Sequence, residues 1–239
     1  MEAIILAGGL GTRLRPVVPD LPKPLAPIGG RPFLEYLLGY WEAQGITRFI
    51  LSVGYKHNAI REYFGTKYKS ADVSYSVEPE PLGTGGGLLV SVEKLESNGP
   101  FLALNGDTFF AVDRNSLLKH HLESRADMTL SLVEVSEHNR FGEIRQDKEG
   151  WITSIETSPG NSKNLLVNGG VYIIARNLLN AYKGNTSTKF SLEGELLPEL
   201  FKNKKRVAGF LSKTTFIDIG LPQDYNRAAK VLSRHCGTF

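Results

Sequence analysis

The chain has 239 residues, 41% of them hydrophobic and 22% charged. That excludes a disordered polypeptide and leaves enough apolar side chain for one sizeable core without disulfides or structural metals. Its 28 Lys and Arg against 25 Asp and Glu give a net charge of +3, too small for a dedicated nucleic-acid or anionic-membrane binder but no bar to a small anionic ligand.

Ala3 to Leu6 is a compact apolar strand that runs into a glycine turn. Pro32 to Gln44 carries Phe33, Leu34, Leu37, Leu38 and Trp41 at helical spacing and is stopped by Gly45. Arg48 to Val53 reads as a second strand, Asn58 to Phe64 as a short helix and Val73 to Val77 as a third strand. A glycine-rich turn then leads to a helix over Leu88 to Leu95, and Phe101 to Leu104 is a fourth strand ended by Asn105-Gly106-Asp107. This alternation of strand and helix argues for a parallel, doubly wound α/β sheet.

The second half changes character. Met128 to Val135, Glu143 to Gln146, Trp151 to Glu156 and Val167 to Ala175 are strands separated by turns such as Lys148-Glu149-Gly150 and Pro159-Gly160-Asn161. Helices follow over Leu192 to Lys202 and Gln223 to Ser233, flanking strands near Val207 to Leu211 and Phe216 to Ile219. With no Pro- or Ser-rich linker, repeat or low-complexity tract, residues 1–239 read as one continuous domain. In open α/β sheets ligands sit at the carboxyl ends of strands, so the strand-ending motifs are the places to look.

The one cysteine, Cys236, can form no internal disulfide, and there is no CxxC or Cys/His metal spacing. The opening MEAIILAGGLGTRL is too short an apolar run for a signal peptide and lacks a basic leader, and no stretch approaches the roughly 20 apolar residues that span a bilayer. We therefore expect a cytoplasmic protein with neither membrane nor nucleic-acid partners. Oligomeric state is left open, a homo-oligomer included.

Leu6-Ala-Gly-Gly-Leu-Gly-Thr-Arg-Leu-Arg-Pro16 turns off the first strand with three glycines. Glycine lets backbone N–H groups converge on phosphate oxygens, and Arg13 adds a forked cation. Lys23 follows, stiffened by prolines on both sides in Leu21-Pro-Lys-Pro-Leu25. A dinucleotide GxGxxG fails because its third glycine falls on Leu14, and no Walker A pattern exists. The glycines alone leave two readings open, a tight turn with surface cations or a phosphate cradle of another kind.

Together with Pro22-Lys23-Pro24, this loop resembles the opening motif of the sugar-phosphate nucleotidyltransferases, the NDP-sugar pyrophosphorylases. The resemblance continues through Glu80-Pro-Leu-Gly-Thr-Gly-Gly-Gly87, Leu104-Asn-Gly-Asp107, Asn168-Gly-Gly-Val-Tyr172 and Phe216-Ile-Asp-Ile-Gly220, in order along essentially the whole chain. The combination is most similar to bacterial D-glycero-D-manno-heptose 1-phosphate guanylyltransferases, with mannose-1-phosphate guanylyltransferases next.

The resemblance implies a Rossmann-like, GT-A-like three-layer α/β fold with a mixed, mostly parallel central sheet. It implies a nucleotide-binding half at 1–110 and a sugar-phosphate-binding half at 111–239. The implied substrates are a nucleoside triphosphate, GTP in the first instance, and a sugar 1-phosphate; the implied cofactor is Mg²⁺. On the nucleotide it places Leu6, Ala7, Gly8, Gly9, Gly11 and Thr12, then Gly83, Thr84 and Gly85, then Asn105 and Gly106. Glu78 or Glu80 would meet the base edge, where a carboxylate suits the N1–H and amine of guanine. Arg13 would grip the leaving pyrophosphate and Lys23 would lie between the substrates. Asp107 and Asp218 would hold the metal, and Gly142, Glu143, Asn168 and Gly169 would meet the sugar.

The pattern departs at one place. Many relatives carry Glu-Glu-Lys where this chain has Glu156-Thr157-Ser158, so a sugar-hydroxyl acid and a phosphate-binding lysine are missing; Lys163 in the following loop is the candidate substitute. Lesser features read as structural. His120-His121 lies on a helix with only Glu123 nearby, a solvated face rather than a metal site, and Lys202 to Arg206 suits a helix C-terminus. Asp107-Thr-Phe109 is not the DxD of glycosyltransferases. A nucleotide-binding subunit without activity, or UTP, CTP or dTTP in place of GTP, are the competing functional readings.

Overall fold

The computed structural model describes residues 1–136, 142–159, 165–182 and 189–238, with the side chains of 157–159 and 236–238 left out. Phe141 and Lys163 lie outside the described residues, and the side chains of Thr157, Ser158 and Cys236 are likewise not described. The first half contains β1 (Glu2–Ala7), β2 (Pro27–Ile28), β3 (Arg31–Pro32), α1 (Phe33–Ala43), β4 (Arg48–Val53), α2 (His57–Phe64), β5 (Lys67–Tyr68), β6 (Ala71–Val77), α3 (Gly83–Val92), β7 (Phe101–Asn105) and β8 (Thr108–Phe110). The second contains α4 (Arg114–Ser124), β9 (Met128–Val135), β10 (Gly142–Gln146), β11 (Ile152–Pro159), β12 (Leu165–Ile174), α5 (Leu197–Lys202), β13 (Val207–Leu211), β14 (Phe216–Asp218) and α6 (Pro222–Leu232).

One eight-stranded sheet runs through both halves in the order β13-β9-β12-β7-β1-β4-β6-β5. β12 and β5 run against the other six, so the sheet is mixed and mostly parallel, as the resemblance implies. Strand alternation divides the core into two layers. Ala3, Ile5, Leu51 and Leu104 pack on one face with Phe33, Leu34, Leu37, Leu38 and Trp41 of α1. Ile4, Ile50 and Ala103 pack on the other with Leu88, Leu89 and Val92 of α3 and Leu197 and Leu200 of α5. A strand buried on both faces must be apolar along its length, which is why β1 reads as an unbroken apolar run.

Three expectations need correction. The helix expected from Leu88 begins at Gly83 and ends at Val92, so the glycines are its first turns and not a preceding loop. They are required by close packing, because a Cβ at Gly87 would lie 2.7 Å from Glu78 Oε1 and 2.9 Å from Ser52 Oγ. The helix expected over 192–202 is split into a π-helical turn, Leu192–Leu196, and α5, whose first turn holds Pro198. Finally, His121 does not face water. It is 3% exposed, its Nδ1 lies 2.9 Å from Thr129 Oγ1, and burial with help from the neighbouring His120 lowers its pKa to about 4.

Candidate active site

The carboxyl ends of β1, β4, β6 and β7 lie side by side, since these strands are parallel neighbours in register, Leu6 opposite both Ser52 and Asn105. Whatever follows each strand is therefore delivered to one edge. After β1 comes the glycine loop, in which Gly11 adopts φ +60°, a left-handed conformation that favours glycine, and starts the helical turn Thr12–Leu14. A Cβ at Gly11 would sit 3.2 Å from Lys23 Cβ, so the loop packs directly on the Pro22-Lys23-Pro24 segment. After β7, the Gly106 N–H donates to Leu6 O at 2.9 Å, and a Cβ there would meet that oxygen at 2.7 Å. The close crossing fixes where Asp107 emerges.

Asp107 and Asp218 are placed by backbone pairing. β14 runs antiparallel to β8 with Asp218 opposite Thr108, and the Ile219 N–H donates to Asp107 O at 3.0 Å. Lys23 Nζ donates to Asp107 Oδ2 at 2.6 Å, while the Thr108 hydroxyl donates to Oδ1 at 3.1 Å. Burial acts to raise the Asp107 carboxyl, but the charge and hydrogen bond of Lys23, then Thr108 and Arg13, outweigh it and hold it below the ordinary carboxylate value. Gly220 marks the centre of the cluster: a Cβ there would lie 2.7 Å from Asp218 Oδ1, 3.3 Å from Lys23 Nζ and 3.6 Å from Arg13 Nη2.

Three cavities meet at this point, and Asp107 lines all of them. One, of about 260 Å³, is walled by Leu6, Ala7, Gly8, Gly9, Glu78, Gly83, Thr84, Asn105 and Gly106, with Lys23 and Lys189. A second, of about 320 Å³, is walled by Gly9, Gly11, Thr12, Arg13, Lys23 and Gly220. The third, of about 350 Å³, is walled by Arg13, Asn105, Gly142, Ile144, Glu156, Asn168, Glu193 and Asp218. A larger cavity of about 720 Å³ lies among His121, Arg125, Arg176 and Arg206 and includes none of the motifs.

The structure thus gathers most of the sequence-derived residues and leaves Gly85, Gly169, Glu143 and Glu80 aside. Gly85 packs under the Phe190 ring. Gly169 packs against Phe110 and Ser131 in the core. Glu143 pairs with Arg145 at 3.4 Å and does not line the sugar-side cavity. Gly142 and Ile144 line the cavity and Glu143 between them does not, and Asn168 lines it whereas a Cβ at Gly169 would run into Phe110 and Ser131. Asn168 is itself engaged, its amide nitrogen on the Tyr172 hydroxyl and its oxygen on the Gly170 N–H at 3.0 Å. Glu78 is 8% exposed and accepts from Ser52 Oγ at 2.8 Å and the Leu82 N–H at 3.0 Å; Glu80 is exposed.

Sequence reasoning missed Lys189, Thr108 and Glu193. Lys189 and Glu193 flank Phe190, whose backbone is hydrogen-bonded to Leu82 and Gly85, a long-range pairing with no local signal.

Residues 2–234 match the family model described as "Nucleotidyl transferase". The chain belongs to that family. It is 43% identical over 235 residues to the D-glycero-alpha-D-manno-heptose 1-phosphate guanylyltransferase of Aneurinibacillus thermoaerophilus, covering 98% of this chain and 100% of that protein. It is 33% identical to a mannose-1-phosphate guanylyltransferase of Mycobacterium tuberculosis, over 98% of this chain and 65% of that one. HddC from Yersinia pseudotuberculosis superposes with a TM-score of 0.84 at 36% identity, covering 96% of this chain and 98% of HddC, and has also been solved complexed with GMP-PN. Among the described residues, this nucleotidyl transferase has no helix long and apolar enough to cross a membrane.

Proposed function

We propose that this nucleotidyl transferase condenses GTP with a sugar 1-phosphate, D-glycero-α-D-manno-heptose 1-phosphate in the first instance, to give the GDP-sugar and pyrophosphate. The observation that carries the reading is the meeting of three cavities at Asp107, with Lys23 2.6 Å from its carboxylate. Such a junction suits a reaction that joins two phosphorylated substrates and expels a third phosphorylated group. The glycine-walled cavity takes the nucleoside, the cavity under Arg13 the departing phosphates, and the cavity between Asn168 and Glu193 the sugar.

An oxygen of the sugar phosphate attacks the α-phosphorus, forming the new P–O bond. The bond from that phosphorus to the bridging oxygen breaks, and its electron pair leaves with pyrophosphate. The attacking oxygen is already ionised, so no general base is needed; positioning and charge neutralisation carry the chemistry. Lys23 holds its charge at the junction of nucleotide and pyrophosphate cavities, and Arg13 at that of pyrophosphate and sugar.

The donor set fits Mg²⁺. Asp218 ends β14 and Asp107 immediately precedes its antiparallel partner β8, and among the described residues no cluster of three or more acidic, His or Cys side chains forms a closed metal cage. Mg²⁺ is typically held by one or two carboxylates, with phosphates and water completing its octahedron. Asp107 and Asp218 would hold the ion, which when bound supplies charge neutralisation to the phosphates.

Guanine is favoured by Glu78, an acceptor-only side chain in the nucleoside cavity whose position is fixed by Ser52 and Leu82. The heptose is favoured by similarity to heptose 1-phosphate guanylyltransferases over nearly the full chain. The test is pyrophosphate release with Mg²⁺, each of the common NTPs and a panel of sugar 1-phosphates that includes heptose and mannose. Release with GTP and the heptose is expected. Release with another NTP alone overturns the base assignment, and no release with any pair overturns the enzyme reading.

A further inference from the structure

Four carboxylates line the sugar-side cavity: Asp107, Glu156, Asp218 and Glu193. Asp107 is held by Lys23 and Thr108, and Asp218 accepts the Gly220 N–H. Glu156 is exposed. Glu193 is half-buried and, like Asp107, held at both oxygens, but by neutral hydroxyls and with no cation on it. The Tyr172 hydroxyl donates to Oε1 at 2.8 Å and the Thr84 hydroxyl to Oε2 at 3.1 Å. Both donors are themselves fixed. Thr84 Oγ1 accepts the Leu192 N–H at 2.9 Å, and Tyr172 is wholly buried with Asn168 Nδ2 donating to its hydroxyl.

A carboxylate offers about four acceptor positions, so these two bonds and a longer one from the Ser191 hydroxyl to Oε2 at 3.5 Å leave roughly one unused. Sugar hydroxyls are donors that need acceptors of this kind. Asn168, the other polar group expected there, has its amide oxygen on the Gly170 N–H and its nitrogen on Tyr172. A preorganised carboxylate from a different element is available in the same cavity.

We infer that Glu193, clamped between Thr84 of the nucleotide cavity and Tyr172 of the sugar side, is a specificity-determining residue whose carboxylate accepts a hydroxyl of the sugar 1-phosphate. The inference rests on the proposed nucleotidyl transfer. Glu193 takes no part in bond making, so its contribution falls on sugar recognition. It also ties the wall of the sugar cavity to the first turn of α3, since Thr84 lies in that turn.

The experiment compares wild type with Glu193→Gln in pyrophosphate release at saturating GTP, using heptose 1-phosphate and its monodeoxy analogues, with melting temperature measured in parallel. Glu193→Gln should raise KM for the sugar phosphate about 10–100-fold, the range for one hydrogen bond to a charged group, with KM for GTP little changed. One deoxy analogue should be penalised by a similar factor in wild type and not in the variant. A purely structural role would lower the melting temperature and disturb both substrates without erasing the penalty for any single analogue. If every analogue keeps its wild-type penalty in Glu193→Gln, the inference is wrong. A wild-type enzyme that releases no pyrophosphate with any sugar 1-phosphate instead overturns the proposed function, and the inference falls with it. Should Glu193→Gln fail to fold, Tyr172→Phe removes one of the two clamps, and an undiminished penalty there is equally decisive against it.

Discussion

Lys23→Ala removes the cation 2.6 Å from Asp107 and acts on folding and on turnover by different amounts. The Lys23 side chain is 11% exposed and that of Asp107 is 38% exposed, so the orphaned carboxylate still reaches water and keeps its Thr108 hydrogen bond. Breaking a fully buried pair costs about 3–5 kcal/mol, whereas an exposed pair contributes about 0.2–1 kcal/mol. With one partner more than a third exposed, the lower range governs, and a loss near 1 kcal/mol lowers Tm by about 2–4 °C at this chain length. Turnover should fall much further. A preorganised charge at a reacting phosphate is worth about 10²–10³ in rate, or about 2.7–4 kcal/mol.

The pH dependence of the same variant follows from the direction of the Asp107 shift. A carboxyl held below its ordinary value in the fold contributes stability above its unfolded value, and that contribution is lost as pH falls through the folded one. Without Lys23 the folded value rises and this contribution disappears, so the stability gap between wild type and variant should close as pH falls through the wild-type folded value. Pyrophosphate-release kinetics and thermal melting, run on the same preparation, read both effects. A folded variant whose turnover stays within about tenfold of wild type would refute the catalytic assignment, since a positioned charge is worth more than that. A variant with no melting transition would refute the structural estimate and make Lys23 a folding residue.

Three other outcomes are expected. Glu78→Gln keeps the shape of a side chain 8% exposed but loses its charge, so kcat/KM with GTP should drop about 10–100-fold and the preference over ATP should narrow; an unchanged preference removes Glu78 from base reading. Asp218→Asn should raise the Mg²⁺ concentration for half-maximal activity by about tenfold or more, and an unaltered Mg²⁺ titration would place the ion elsewhere. His121, buried and with its pKa lowered from 6.5 to about 4, is kept neutral by the fold, so protonation of the unfolded chain favours unfolding across that window. On the order of 3 kcal/mol of stability should be lost as pH falls from about 6.5 to 4, and His121→Gln should flatten that slope in urea-unfolding titrations.

The parallel half of the fold was legible because its signals are local. The apolar spacing of α1 and the apolar runs within β1 (Ala3 to Ala7) and β4 (Phe49 to Leu51) follow from burial on one helix face or on both strand faces, and the observed ends differ from the expected ones by little. What escaped depends on contacts distant in sequence. The glycines at 83–87 read as a turn, yet they lie in the helix, and Phe190, Glu78 and Ser52 leave no room for a side chain at Gly83, Gly85 or Gly87. His121 reads as solvent-facing until β9 is laid across α4, bringing Thr129 to its ring. Glu143 and Gly169 belong to the right motifs but point the wrong way, and a strand's inward face cannot be assigned until its partner is known. Glu193 had no local mark at all, because its meaning comes from Thr84, more than a hundred residues earlier.

The Lys23–Asp107 pair clarifies how such a site can wait for its substrates. Each charge alone would be costly in a partly enclosed pocket, and together they offset one another. On the proposed reading both partners are needed elsewhere during turnover, Lys23 on a phosphate oxygen and Asp107 on the cation. With a phosphate oxygen to take Lys23 and an ion to take Asp107, the pair would open without leaving either group unmatched. A triphosphate without its ion would draw Lys23 away and strand Asp107 beside polyanionic oxygens. In Lys23→Ala the Asp107 carboxylate is already orphaned and meets ion-free triphosphate unscreened, so the dependence of nucleotide binding on Mg²⁺ should steepen. Calorimetric titration of nucleotide with and without the ion measures this directly, and equal Mg²⁺ dependence in variant and wild type would leave the pair without this role.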